Sequence, residues 1–254
     1  MKQIPNFFTL LNLVFGCLAI VFILQNGIVI TTDAQGSFLI DIPEKIWLAS
    51  LFIGLAAVAD FLDGLLARLL QVSSDMGKQL DSLADIVSFG VAPALIIFQF
   101  LRLSLAQGED GLQSSFLWLL PAFILPCAAA WRLAKFNLNT SSSLSFSGMP
   151  VPAVGIFVAS LPLIYWNVNI AWVQDVLLNN RFLYALIAVL SWLMVSKIPM
   201  LSLKFENFSV QKNLPKYILL VLAIIAMILL QWLAIPVIIL LYVLLSLLFK
   251  TKTS

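Results

Sequence analysis

The chain has 254 residues, of which 62% are hydrophobic and only 10% are charged. Its mean hydropathy of +1.06 is far above the values of soluble globular domains and indicates an integral membrane protein. A net charge of +2, spread along the chain, argues against nucleic-acid binding, and the absence of histidine excludes imidazole bases and most zinc sites.

Apolar runs with the length of membrane helices follow one another along the chain and predict an all-α polytopic fold. The first run resembles a signal peptide, but it is long and lacks a small-residue cleavage site, so we interpret it as a span. The last two spans depend on Pro236, which either separates two helices or kinks one. Eight spans are predicted: 7–25, 46–70, 79–101, 116–136, 149–166, 182–199, 216–233 and 236–249.

The basic residues support this alternation of spans. With the N-terminus in the cytoplasm, eleven basic residues fall on the inner side: Lys2, Arg68, Lys78, Arg132, Lys135, Lys197, Lys204, Lys212, Lys216, Lys250 and Lys252. Only Lys45, Arg102 and Arg181 fall outside. Because cytoplasmic loops of membrane proteins are enriched in Lys and Arg, both termini are predicted to be cytoplasmic, in the cell (inner) membrane.

Four aspartates interrupt the second and third apolar runs. Asp60 and Asp63 stand at i and i+3, and Asp81 and Asp85 at i and i+4, so each pair shares a helix face. The short connecting loop predicts antiparallel neighbours whose acidic faces converge. Because uncompensated charge is unfavourable in a membrane, a cation is expected, and Mg²⁺ and Mn²⁺ prefer such oxygen ligands. Four carboxylates can hold two such ions.

The residues around the aspartates leave a second interpretation open. The acids could simply form ion pairs with Arg68 and Lys78 at the helix ends. This alternative leaves part of the negative charge uncompensated and does not explain Gly64 and Ala67, which lie on the acidic face and make room for a phosphorylated ligand. The guanidinium of Arg68 suits phosphate oxygens. We therefore predict a two-metal site beside a phosphate pocket, open to the cytoplasm.

Residues 60–85 read D-x2-D-G-x2-A-R-x8-G-x3-D-x3-D. This pattern resembles the signature of the CDP-alcohol phosphatidyltransferase family. The resemblance implies a six-helix membrane core, two divalent cations, a CDP-linked lipid donor and release of CMP. Metal binding is implied for Asp60, Asp63, Asp81 and Asp85, and Asp85 is also implied as the general base. Donor contacts are implied for Gly64, Ala67, Arg68, Gly77 and Asn12.

Four further segments are similar to the branch of this family that uses L-serine: "IPNFFTLLNLVFG" at 4–16, "DSLADIVSFGVAPA" at 81–94, "WRLAKFN" at 131–137 and "FSGMPVPA" at 146–153. They imply transfer of a phosphatidyl group from CDP-diacylglycerol to L-serine. Arg132 and Lys135 are candidates for binding the serine carboxylate, although both also fit as membrane anchors. Asn137 is either a polar contact to the acceptor or an ordinary loop residue.

Two other functions remain open from sequence. The same chemistry with glycerol 3-phosphate or an inositol compound would call for a denser basic cluster, and a divalent-cation transporter would use the acidic cluster as its transit site.

We expect one membrane domain over 1–254, with a catalytic core at 1–200 and a loop and two added helices at 201–254. The family resemblance also implies a homodimer. Gly16, Gly54, Gly90 and Gly155 are expected to permit close helix packing.

Overall fold

The computed structural model describes residues 3–32, 38–72, 74–107, 111–138, 148–201 and 210–249. This part of the chain is almost entirely helical, which confirms the predicted all-α fold of a polytopic membrane protein. Its α-helices are α1 (Ile4–Gln25), α2 (Trp47–Leu69), α3 (Asp75–Asp85), α4 (Ala92–Ala106), α5 (Ile124–Leu138), α6 (Val151–Asn167), α7 (Ala171–Leu177), α8 (Asn180–Val195), α9 (Val210–Leu230) and α10 (Ala234–Leu248).

Shorter helical segments extend several of these helices. A π-helical turn at Ile86–Val91 joins α3 to α4 without a break, and 3-10 turns at Glu44–Ile46 and Phe116–Phe123 lead into α2 and α5. In the described residues, five stretches are long and apolar enough to cross a membrane: Ile4–Gln25, Glu44–Leu69, Asp75–Ala106, Phe116–Leu138 and Asn213–Leu248. A sixth is added if α7 and α8, which meet at 64°, form one bent span.

Each of the eight predicted spans thus contains a helix, but they differ in length. The 17 residues of α6 and the 16 residues of α8 are shorter than the roughly 20 residues of a typical crossing. The last stretch has 36 residues, or about 54 Å if it were straight, which exceeds a hydrocarbon core of about 30 Å. At Gln231 the chain adopts a φ of 48°, in the left-handed region, and α9 and α10 pack against each other.

Pro236 is therefore not the point at which the last two helices separate. The break lies at the 3-10 turn Gln231–Leu233, and Pro236 lies in the first turn of α10. A proline is tolerated there because the first backbone N–H groups of a helix have no partner within the helix.

A short hairpin follows α1 and is an exception to the predicted all-α fold. Its strands β1 (Val29–Thr32) and β2 (Phe38–Asp41) pair in antiparallel register, with Val29 opposite Asp41. The hydroxyl of Tyr165 on α6 donates to Asp41 Oδ1 at 2.7 Å. This bond ties the hairpin to the end of α6.

Helix α1 is the central element around the aspartates. Both α2 and α3 pack against it, and so does the π-helical turn. Glycines permit these close approaches: a Cβ at Gly16 would collide with Ser88 Oγ, and one at Gly155 would lie 2.9 Å from Phe89 Cβ. Gly90 similarly faces Ala129, whereas Gly54 has open space around it, so the expected packing role is wrong for Gly54.

Gly148 explains part of the "FSGMPVPA" segment in structural terms. Its φ is +78°, a conformation that L side chains rarely adopt, and a Cβ there would collide with the carbonyl oxygen of Met194. Its N–H donates to Ile198 O at 2.8 Å, which joins the start of α6 to the segment after α8. The glycine is required by backbone geometry.

Gly148→Ala is therefore expected to destabilise the protein by about 1–3 kcal/mol, the usual range for a strained backbone position. Thermal unfolding of the purified protein in detergent measures this change as a lower midpoint. Gly54→Ala is the matched control and should leave the midpoint unchanged or raise it, because the added Cβ meets no neighbour within 4 Å. Equal midpoints for the two variants would contradict this account of Gly148.

Candidate active site

The aspartates converge as their spacing predicts. Asp60 and Asp63 on α2 and Asp81 on α3 each offer a carboxylate oxygen, and these three atoms lie within 4.8 Å of one another. Asp85 lies one helical turn beyond Asp81 and is buried, with 6% of its surface exposed. We call these four residues the aspartate cluster.

The polar partners of this cluster come from α1. Thr9 Oγ1 donates to Asp63 Oδ2 at 2.7 Å, and Asn12 Nδ2 donates to Asp85 Oδ1 at 3.2 Å. The family resemblance implies that Asn12 contacts the donor, but its side chain lies against Asp85 and is fully buried. Its Oδ1 has no hydrogen-bond partner among the described residues. The carbonyl of Asn12 accepts a bond of 3.0 Å from Ser88 Oγ in the π-helical turn.

A cleft of about 160 Å³ opens between α2 and α3, with α1 as its floor. Predicted donor-site residues Gly64, Ala67 and Gly77 line it, together with Asp63 and Asp81 of the aspartate cluster. The acidic faces converge because α2 and α3 both pack on α1 and face each other across the cleft. It is large enough to admit part of a ligand next to the carboxylates.

Two glycines shape this cleft in different ways. Gly64 has no heavy atom within 4 Å of a built Cβ, so the space beside it is open to a ligand. A Cβ at Gly77 would lie 3.0 Å from Ser74 Oγ and 3.1 Å from Asn6 Oδ1, so the turn into α3 needs a small residue there. The N–H of Gly77 donates to Ser74 Oγ at 2.9 Å and caps the helix.

Arg68 does not lie in the cleft with its predicted companions. Its side chain is exposed, and its Nε donates to the carbonyl of Gly64 at 2.9 Å. Lys78 does line the cleft, although its side chain is largely exposed. The guanidinium of Arg68 is therefore held at the rim beside Gly64 by a backbone carbonyl rather than by an aspartate.

The three acceptor candidates on α5 have different surroundings. Arg132 is partly buried, and its Nε is enclosed without a hydrogen-bond partner among the described residues. Asn137 Nδ2 donates to Ser82 Oγ at 2.9 Å, which ties the end of α5 to α3 beside the cluster. Lys135 is exposed, so of the two basic candidates only Arg132 is enclosed by the protein.

Asn6 and Thr9 also line the cleft and were not predicted as site residues. A signal for them exists in the sequence. Asn6, Thr9 and Asn12 are spaced by three residues within an otherwise apolar span, so they form a polar stripe on one face of α1. A polar stripe on a membrane helix indicates a face turned toward protein rather than lipid.

The ligand atoms of the aspartate cluster suit a hard divalent cation. All the clustered groups are carboxylates, without sulfur or imidazole ligands, which is the chemistry that Mg²⁺, Mn²⁺ and Ca²⁺ prefer. Asp81 Oδ1 is buried and has no hydrogen-bond partner among the described residues, so it is available as a ligand. Three negative groups this close together in a membrane protein require compensation by positive charge.

Comparison of the sequence with known proteins identifies the family of the chain. The sequence profile of CDP-alcohol phosphatidyltransferases matches residues 2–195, which include the whole cluster and the cleft. The chain belongs to the CDP-alcohol phosphatidyltransferase family. Helices α9 and α10 lie beyond the matched residues.

Several curated CDP-alcohol phosphatidyltransferases are similar to the chain, and each is named CDP-diacylglycerol–serine O-phosphatidyltransferase. The Bacillus subtilis protein is 33% identical over 209 residues, which cover 82% of this chain and 92% of the relative. The Saccharomyces cerevisiae protein is 42% identical over 43% of this chain and 39% of its own length. A Helicobacter pylori protein is 34% identical over 64% of this chain and 62% of its own length.

Proposed function

We propose that this CDP-alcohol phosphatidyltransferase transfers the phosphatidyl group of CDP-diacylglycerol to L-serine and forms phosphatidylserine and CMP. The observation behind this proposal is the aspartate cluster, three of whose carboxylate oxygens lie within 4.8 Å of one another beside an open cleft. The names of the similar proteins support L-serine as the acceptor. We also propose the cell (inner) membrane as the location, with the site and both termini cytoplasmic.

In this proposal the cleft holds the cytidine diphosphate part of the donor. Gly64 and Ala67 leave space for it on α2, while Asn6 and Gly77 bound it from α1 and α3. Arg68, fixed at the rim by Gly64 O, offers free N–H groups to phosphate oxygens. The lipid chains of the donor would extend from the cleft into the membrane.

The aspartate cluster supplies the ligands for the cations in this proposal. Asp60, Asp63 and Asp81 would hold Mg²⁺ or Mn²⁺, and Asp85 would complete a two-ion site. Bound there, the ions would supply positive charge that stabilises the diphosphate and the departing CMP. Thr9 fixes Asp63 through its hydrogen bond, so the carboxylate needs little rearrangement to bind.

Asp85 accepts the proton in the proposed reaction. The serine hydroxyl oxygen attacks the lipid-side phosphorus and forms a new P–O bond, while the P–O bond to CMP breaks and the hydroxyl proton moves to Asp85. Asn12 donates to Asp85 Oδ1, which orients the carboxylate and leaves Oδ2 for the proton. Burial of both side chains keeps bulk water away from this step.

The division of the chain and its assembly are also part of this proposal. The catalytic core would occupy 1–200, and 201–254 would add a loop and the helices α9 and α10 within the same membrane domain, with a homodimer as the assembly. The cytoplasmic orientation is supported by the positive-inside count. Four of its basic residues, Lys2, Lys204, Lys250 and Lys252, lie outside the described residues.

A panel of acceptors tests the proposed reaction. Purified protein is incubated with CDP-diacylglycerol, Mg²⁺ or Mn²⁺, and labelled L-serine, glycerol 3-phosphate or inositol compounds, and the label that enters lipid is measured. Only serine is expected to be incorporated, with one CMP released per lipid formed. Incorporation of another alcohol would refute serine but keep the family chemistry. Cation flux in proteoliposomes without CDP-lipid would instead favour a transporter.

Gly64→Ala is expected to raise the KM for CDP-diacylglycerol by at least about fivefold, because a methyl group would enter space that the donor occupies. The added Cβ meets no protein atom within 4 Å, so the fold should tolerate it. Steady-state kinetics with donor presented in mixed micelles measure the change. Gly54→Ala, on the same helix and equally open, is the control and should retain the wild-type KM. A wild-type KM for Gly64→Ala would remove Gly64 from the donor site.

A further inference from the structure

Ser88 lies in the π-helical turn, three residues after Asp85, and is fully buried. Its Oγ donates to the carbonyl oxygen of Asn12 at 3.0 Å. A serine inside a helix commonly donates to a carbonyl of its own helix three or four residues earlier, as Ser160 on α6 does with Phe157 O at 2.6 Å. The hydroxyl of Ser88 bonds to a different helix instead, so this bond fixes the position of α1 relative to the turn.

Asn12 is bonded to this segment through both its side chain and its backbone. Its Nδ2 donates to Asp85 Oδ1 at 3.2 Å and its carbonyl accepts from Ser88, so two residues three positions apart hold the same residue of α1. Asn12 and Ser88 have no exposed surface, and Asp85 has 6%. Because water does not reach these groups to replace a lost partner, a shift of α1 that breaks the two bonds is unfavourable.

Gly16, one turn after Asn12 on α1, makes this close contact possible. A Cβ at this position would collide with Ser88 Oγ and would lie 2.9 Å from Ser88 Cα. Without a side chain there, the backbone of α1 approaches the π-helical turn closely enough for the short serine side chain to reach a backbone carbonyl. The contact therefore has two parts, a hydroxyl on the turn and a glycine on α1.

We propose that Ser88 is a positioning residue for the reaction: by fixing the backbone of Asn12, it places the Asn12 amide against Asp85 Oδ1 and leaves Asp85 Oδ2 for the proton of the acceptor hydroxyl. This inference rests on the proposed function, in which Asp85 accepts that proton. The cleft is lined by residues of α1, α2, α3 and the connection between the last two, which do not include Ser88. Loss of its hydroxyl should therefore affect turnover rather than binding of the donor.

Kinetics of Ser88→Ala test the inference in the full-length protein. We expect the turnover number to fall about tenfold, because a displaced base is less well aligned with the hydroxyl, while the KM values for serine and CDP-diacylglycerol stay within about twofold of wild type. Ser160→Ala is the matched control, since it removes a similarly buried serine hydroxyl that also donates to a backbone carbonyl. It should keep wild-type turnover even where its thermal midpoint falls.

A variant of Asn12 separates positioning from a purely structural role. Asn12→Ala removes the amide that contacts Asp85 but keeps the carbonyl to which Ser88 bonds. Ser88→Ala should lower the thermal midpoint by the same amount with or without Asn12→Ala, because the bond to the carbonyl is present in both backgrounds. Added to Asn12→Ala, however, it should cause no further loss of turnover.

Thermal midpoints and turnover are measured on the same detergent preparations, so that a loss of folded protein is not counted as a loss of turnover. Three results would overturn the inference alone: wild-type turnover in Ser88→Ala, an equal loss in Ser160→Ala, or losses that multiply when Asn12→Ala and Ser88→Ala are combined. Failure of the wild-type protein to incorporate serine would overturn the proposed function instead, before any variant is compared.

Discussion

Asp85→Asn is expected to lower turnover by about 10²–10⁴-fold, the usual contribution of a general base, while binding of CDP-diacylglycerol is largely retained. Asparagine has nearly the same shape, and its carbonyl oxygen can still accept the hydrogen bond from Asn12, so the buried site should keep its structure. What is lost is a group that can accept the proton of the serine hydroxyl. Rapid-quench or steady-state assays with labelled serine measure the loss.

Donor binding in this variant is measured separately, for example by displacement of a fluorescent CDP-lipid. Asp75→Asn is a suitable control because Asp75 is an exposed acid on the same helix and lies outside the cluster. It should retain wild-type turnover. Full activity of Asp85→Asn would refute the assignment of the base, and loss of donor binding in parallel with turnover would show that Asp85 acts mainly as a ligand.

The second large effect is expected for Asp81→Asn. Asp81 belongs both to the cluster and to the cleft wall, and its Oδ1 is buried without a protein partner. Replacing it should weaken Mn²⁺ binding by at least about 100-fold, since removal of even an outer partner of a metal ligand costs about 10–100-fold in affinity. Turnover at a fixed low concentration of Mg²⁺ or Mn²⁺ should fall accordingly.

Electron paramagnetic resonance of free Mn²⁺ measures this affinity directly in detergent solution, independently of activity. The thermal midpoint should rise or stay constant in the absence of metal, because the substitution removes one of several repelling charges. Asp75→Asn again provides the matched loss of one negative charge on α3. Unchanged Mn²⁺ affinity in Asp81→Asn would mean that the cluster does not bind a cation through this residue.

The aspartate cluster was predictable because helix geometry alone determines its faces. Spacings of three and four residues put Asp60 with Asp63, and Asp81 with Asp85, on common faces whatever surrounds them. The open space beside Gly64 was predictable for the same reason, since it shares the face of Asp60 and Asp63. Predicting these features requires only the geometry of a helix and the short connection between α2 and α3.

Contacts between distant parts of the chain were not predictable in the same way. The hydrogen bonds of Thr9 with Asp63 and of Asn12 with Asp85 join residues more than fifty positions apart, and they depend on how α1 packs beneath α2 and α3. A polar residue in a span gives no indication of its partner. The hydrogen bond of Tyr242 with Leu201 O likewise depends on how α10 returns toward the segment after α8.

Short elements also escape reasoning from hydropathy. The hairpin of β1 and β2 has only four residues in each strand, and all four residues of β1 are exposed, so no alternation of polar and apolar side chains marks it. The end of α8 was placed too late, at 199, whereas the helix ends at Val195, because hydropathy does not show where the backbone leaves the helix. Arg68 fits the motif, but the motif does not show that its side chain turns back to donate to Gly64 O, one turn earlier on the same helix.

The π-helical turn at Ile86–Val91 divides the long helix Asp75–Ala106 into two parts. The number of residues in the turn determines the directions in which the faces of one part point relative to those of the other. Before the turn, the helix presents Asp81 to the cleft and Asp85 to Asn12 on α1. The turn itself packs against α6, where Gly155 meets Phe89, and α4 after the turn also packs against α6. Removing one residue from the turn would rotate one part against the other by about 100°. A gap in this segment of a sequence alignment would therefore mark a relative whose reaction centre and packing surface are differently coupled, even if every aspartate were retained.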